Sequence, residues 1–154
     1  MTFTLELEEG HRSSRACGIP FYNVTFTTID DPLALSIAVW EERCRIMDEY
    51  KHIWTGISSC ALCKKFRFPG NGNSCYGCDV AIYTGCRYCK ETPYEEVSDT
   101  ADRLYRLLGD HYDSEDYKTV DIKTLPEFQQ VWAALRTACD AELAFLKMLQ
   151  EKSL

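Results

Sequence analysis

Cys60-Ala-Leu-Cys63, Cys75-Tyr-Gly-Cys78 and Cys86-Arg-Tyr-Cys89 place six of the chain's nine cysteines in one short stretch. Two thiolates two residues apart can reach one ion from a tight turn, and two such turns complete the tetrahedral shell that zinc prefers. The stretch therefore predicts a zinc-knuckle or ribbon-like module over residues 59–90, with Zn2+ as its ion. Its middle, Pro69-Gly70-Asn71-Gly72-Asn73-Ser74, is dense in turn formers and supplies the loop between the first two pairs.

Four sulfurs close one zinc and six are present, so the spacing leaves the ligand set open. Cys60, Cys63, Cys75 and Cys78 are the simplest quartet. Cys86 and Cys89 are then spare, or one of them replaces a member of the second pair; a two-ion cluster of six thiolates is the other arithmetic solution. Cys44 and Cys139 lie on apolar helical stripes and read as buried thiols, while Cys17 stands alone. A catalytic zinc keeps an open position, usually with histidine or carboxylate in its shell. The three histidines, His11, His52 and His111, have no ligand spacing to a cysteine. No catalytic residue is expected, and no hydrolase elbow, phosphate loop or dinucleotide fingerprint occurs.

Outward from the module the pattern is α+β. Phe3, Leu5 and Leu7 alternate with polar residues, as do Tyr22, Val24 and Phe26, which predicts two antiparallel strands joined by a long connection from Gly10 to Pro20. Asp31-Pro32 is an N-cap followed by proline in the first turn. An apolar stripe of Leu33, Ile37, Trp40, Cys44, Met47, Tyr50 and Trp54 then predicts a helix from Pro32 to about Trp54, ending near Gly56. A second helix opens at the capping box Thr92 to Glu95, carries Val97, Ala101, Leu104 and Leu108 on its stripe and stops at Gly109. A polar loop follows over residues 110–123, with a short extended piece at 118–122. A third helix opens at Thr124 to Glu127 and carries Phe128, Val131, Trp132, Leu135, Cys139, Leu143, Leu146 and Leu149. The expected architecture is one domain over residues 1–154, a small antiparallel unit packed by about three helices, with the module inserted between the first and second.

At 154 residues, 45% hydrophobic and 27% charged, the chain can bury a core of its own, so the metal is a local staple. The N-terminal residues do not read as a signal peptide and no stretch is long and apolar enough for a membrane span. The expected compartment is a reducing cytoplasm, which favours bound or free thiols over disulfides. Residues 51–91 hold six basic and two acidic side chains, a net of +4, which leaves −11 for the rest of a chain of net charge −7.

Three functions follow from the module. A closed cysteine site shapes a surface for a macromolecule, most simply a protein. The run Lys64-Lys65-Phe66-Arg67-Phe68 alternates cations with rings, and Tyr76, Tyr83, Arg87 and Tyr88 add stacking surfaces, the recipe for single-stranded nucleic acid. A redox dithiol at Cys86 and Cys89, close to the helix opening at Thr92, is the third. Oligomeric state is open.

The string Cys60-Ala-Leu-Cys63, Cys75-Tyr-Gly-Cys78-Asp-Val, Thr84-Gly85 and Cys89-Lys-Glu-Thr92-Pro93-Tyr94 resembles a pattern of small, mostly uncharacterised bacteriophage and prokaryotic proteins: C-x-L-C, C-x-x-C-P-[VI], T-G, C-x-x-T-P-Y. It covers about a quarter of the chain. This sequence carries Asp79 where that pattern has proline, and Cys86 is an additional thiol. The resemblance implies Cys60, Cys63, Cys75, Cys78 and Cys89 as the metal set, and implies a phage-encoded protein acting in the cytoplasm of a prokaryotic host, in host interaction or counter-defence.

Overall fold

Strand β1 (Phe3–Leu7) pairs antiparallel with β2 (Phe21–Phe26), Leu5 opposite Val24, and their apolar side chains pack on Val39 and Ile46 of the following helix. The computed structural model describes residues 2–9, 12–56, 59–66, 75–86 and 88–152. The connection between the strands holds a short helix α1 (Arg12–Ala16); Gly10 and His11 lie outside the described residues. Asp31 caps helix α2 (Pro32–Met47), its carboxylate accepting the Ala34 N–H at 3.1 Å.

The apolar stripe predicts α2 running to Trp54, but the helix ends at Met47 and the chain turns back as a third strand, β3 (His52–Ile53). The reversal is a Schellman turn: the Lys51 N–H bonds the Ile46 carbonyl and the Tyr50 N–H the Met47 carbonyl, each at 3.1 Å. Tyr50 takes the left-handed φ of 55° that such a turn needs. Its ring offsets that cost by lying against Trp132, 5.7 Å between centroids, and Phe128. Beyond the turn, the His52 N–H bonds the Pro20 carbonyl at 3.0 Å and the Trp54 N–H the Tyr22 carbonyl at 2.8 Å. β3 is thus parallel to β2, with α2 as the crossover, and the sheet order is β1-β2-β3.

Two long helices complete the core. Helix α5 (Tyr94–Tyr112) passes through Gly109, the expected stop, because that residue has open space around its Cα and a glycine inside a helix costs only about 1 kcal/mol. Buried His111 then ties the loop back, its Nε2 lying 3.0 Å from the Val120 carbonyl. Residues 118–122 form turns leading into a 3₁₀ turn (Ile122–Thr124), where an extended piece is expected from the sequence. Helix α6 (Pro126–Lys152) packs against both α2 and α5 and buries Phe128, Leu135, Cys139 and Leu146. The fold is α+β. Between α2 and α5 the cysteine module contributes two short helices, α3 (Ala61–Phe66) against α2 and α4 (Asp79–Thr84) against α6.

His52 is fully buried, with Nδ1 unpartnered and Nε2 3.5 Å from the Tyr105 hydroxyl. Burial, with a smaller contribution from Arg43, holds its pKa down at about 3, so it is neutral in the fold. In the unfolded chain it titrates near 6.5. A depressed folded pKa contributes stability above the unfolded value and loses it as pH falls from 6.5 towards 3. Relative to His52→Leu, the native protein should therefore lose about 1.4 kcal/mol of unfolding free energy between pH 7.5 and 5.5, measured by urea denaturation; parallel pH profiles would contradict this.

Candidate metal centre

In the first cysteine turn of the module a backbone N–H bonds to sulfur. In the first pair Cys60 precedes α3, and the Cys63 N–H donates to its Sγ at 3.5 Å, with the Ser36 hydroxyl 3.9 Å away. In the second pair Cys78 is the N-cap of α4, and the Val80 and Ala81 amides favour its thiolate. At Cys60 sulfur occupies the place of the oxygen that Ser or Asp supplies at an ordinary cap, whereas Cys78 makes no side-chain cap hydrogen bond to α4.

Cys75 and Cys89 reach the same region through left-handed backbone, φ 72° and 59°, and Tyr88 and Glu91 share that conformation. Four non-glycine residues at positive φ, three within the module and Glu91 just past it, store strain that the surroundings must hold. Thr92 helps to hold it. Its hydroxyl donates to the Cys89 carbonyl at 2.6 Å and accepts the Tyr94 N–H at 3.2 Å, and so joins the last cysteine turn to α5. The capping box expected of Thr92 and Glu95 gives way to this link, and Pro93 is the N-cap.

Cys60, Cys63, Cys75, Cys78 and Cys89 line one cavity of about 50 Å³, floored by Trp40 and Arg43 of α2, Tyr94 of α5 and Glu142 and Leu146 of α6. Organic ligands occupy about 300 Å³ or more, so the space suits an ion or a few waters. Cys86 faces elsewhere: its thiol reaches the Glu91 carboxylate at 3.8 Å, and the residue lines a separate outer concavity. Among the described residues no group of three or more His, Cys, Asp or Glu side chains stands close enough to share an ion as the side chains are placed. The donor set nonetheless fits zinc in kind, five cysteines lining one small cavity with a backbone amide bonded to one of the sulfurs.

The electrostatics point the same way. Hydrogen bonds, first from Cys63 and then from Ser36 and the backbone, lower the Cys60 pKa, while Cys63 keeps its proton as the donor. Burial first, then repulsion from neighbouring sulfur, pushes Cys78 and Cys89 up. So many buried thiols cannot ionise together without a cation, whereas bound metal takes thiolates as its ligands.

Two charged residues of this site are absent from the sequence reading. Arg43 is 2% exposed and Glu142 3% exposed. Arg43 stacks on Trp40, 4.0 Å to the ring centroid, and donates to the Trp54 carbonyl at 3.3 Å. Burial, then the Cys60 charge, pushes the Glu142 carboxyl up to about 8. The signal was present as charges on apolar stripes: Arg43 lies between Trp40 and Met47, Glu142 between Cys139 and Leu146.

Of the cation-and-ring run, Lys64 and Lys65 are exposed on α3, but Phe66 packs against the core. Arg67 and Phe68, the loop 69–74 and Arg87 lie outside the described residues. Cys86 and Cys89, the suspected dithiol, are divided between the outer concavity and the cavity. Among the described residues no helix is long and apolar enough to cross a membrane. No protein-family model, curated protein or solved structure matches the chain.

Gly77, at φ 86°, lies between the second pair of cysteines, and a Cβ there would stand 3.2 Å from Phe66 Cε1. Gly77→Ala should destabilise the module by about 1–2 kcal/mol through the left-handed backbone alone. Hydrogen exchange should quicken across residues 75–86 with the helical body unchanged, and unaltered exchange there would refute this reading.

Proposed function

We propose that this chain is a non-catalytic zinc-binding protein whose cysteine module presents a surface to a protein partner. The observation that carries the proposal is where the exposed large apolar side chains fall. Tyr76 is 83% exposed, Ile82 73%, Tyr83 51% and Tyr88 46%, all within the module; elsewhere among the described residues only Leu7 and Tyr50 are comparably exposed. Tyr76 and Ile82 flank a concavity of about 420 Å³ lined also by Gly77, Ala81 and Gly85. Exposed apolar groups clustered on a concave surface mark a protein contact, with aromatic anchors as its usual energetic centre. Tyr83 is steadied from behind by Phe145 of α6, 5.9 Å between centroids. Lys64, Lys65 and Lys90, exposed on the same module, favour a partner with acids around its apolar residues.

Zinc in this reading is structural, a cross-link that holds α3, α4 and the Cys89 turn in one arrangement so that Tyr76 and Ile82 stay presented. The resemblance to phage-borne proteins supplies a setting, a host protein met in the cytoplasm. Nucleic acid is the competing occupant. Phe66 is lost to it as a stacking surface, which leaves Tyr76, Tyr83, Tyr88 and the lysines, exposed groups that serve either partner.

Zinc analysis of protein purified under reducing conditions should find the metal bound, retained in Cys86→Ser and lost in Cys60→Ser and Cys78→Ser. A photo-crosslinking residue at position 82 should trap a discrete protein partner that one at exposed position 115 does not, and the adduct should vanish in Cys60→Ser. Equal trapping at both positions, or adducts removed by nuclease, would overturn the protein-binding reading.

A further inference from the structure

Buried polar atoms without a hydrogen-bond partner converge on the cysteine cavity. Arg43 Nε, Ser59 Oγ and Glu142 Oε2 are all unpartnered, and all three residues line it. Each is at most 3% exposed. A buried carboxyl with a free oxygen is costly, and proteins rarely tolerate one without a partner. Glu142 has a cation nearby in Arg43, yet no ion pair joins the two among the described residues. The guanidinium is turned instead to the Trp54 carbonyl and the Trp40 ring. Glu142, with that oxygen unpartnered, lines a space that five cysteines also line.

We propose that Glu142 is the oxygen ligand of the metal centre, so that the ion is held jointly by thiolates of the module and by helix α6. The inference rests on the zinc reading and names part of its shell. Carboxylate is an ordinary zinc ligand, and a shell of thiolates completed by Glu142 is still closed by protein groups. All five sulfurs belong to the module, whereas Glu142 belongs to the helical body. The ion then fastens one to the other, and removing it frees the module as a whole. Arg43, which lines the same cavity, remains a fixed positive charge that offsets the surplus negative charge that several thiolates and a carboxylate leave around a divalent ion.

Cobalt(II) titration of the reduced, metal-free protein tests the assignment, because ligand-field bands report the sulfur and oxygen content of the shell. The native chain should give sulfur-to-cobalt charge transfer with bands of a mixed shell. Glu142→Gln, with far-UV circular dichroism like the native chain, should shift the bands to longer wavelength if a spare thiolate takes the vacated position. If none does, they should weaken while affinity falls beyond the about 10- to 100-fold that losing an outer hydrogen-bond partner costs. Bands superimposable on the native ones overturn Glu142 as a ligand, whatever the affinity. Should Glu142→Gln fail to fold, Glu142→Asp retracts the carboxylate by one methylene and must shift the bands likewise. A native chain with no cobalt bands overturns the zinc reading itself, an outcome distinct from the failure of this one ligand.

Discussion

A module whose described helices span only Ala61–Phe66 and Asp79–Thr84 has no core of its own and leans on the helical body through Leu62 and Val80. Within it Cys60, Cys63, Cys75, Cys78 and Cys89 line one cavity together with residues of α2 and α6. Isolated helices of six residues are well below the length that is stable in water. Their strained turns, at Cys75 and Cys89 above all, persist only because something outside the local backbone favours them. A metal cross-link is the agent we propose, and it explains why the largest exposed apolar side chains lie where the chain is least able to order itself.

The helical body supplies the rest of the cavity that the proposed cross-link would occupy. Trp40, Val80 and Leu146 give the cavity apolar walls, and Arg43 and Glu142 bring charge to its floor. Buried charges of this kind are poor stabilisers by themselves, since desolvation offsets much of their attraction. Their place beside five sulfurs gives them a purpose that core packing does not. The polar chain from Thr55 through Tyr105 to His52 sits just behind. The Tyr94 hydroxyl donates to the Thr55 carbonyl at 2.5 Å, and Thr55 Oγ1 lies 3.1 Å from the Tyr105 hydroxyl, so sheet, α5 and cavity share one network.

Much of the fold was legible because period decides it. Strand alternation at residues 3–7 and 22–26, the Asp31-Pro32 start and the three long stripes all correspond to elements. The failures have local causes. The stripe through Tyr50 and Trp54 continues past α2 because both rings meet the core for another reason, the exposed Tyr50 from a turn against Phe128 and Trp132 and the half-buried Trp54 beside a strand end. Gly109 looked like a stop, but a glycine on the solvent side of a helix merely costs a little. In the module, C-x-x-C spacing identified the thiols, yet spacing cannot say which way a turn faces. It could not separate Cys86, turned outwards to Glu91, from Cys89, turned inwards and tied by Thr92. Nor does a stripe reveal that one charged member, Glu142, lines a cavity with cysteines 53 to 82 residues away in sequence.

The most direct test of the account is hydrogen exchange of the native protein before and after a chelator removes its metal. Residues 59–66 and 75–92 should lose protection together while α2, α5 and α6 keep theirs, and adding zinc back should restore it. Protection in the module that is indifferent to the chelator would show that its shape does not depend on a metal, and the account would fail at its centre.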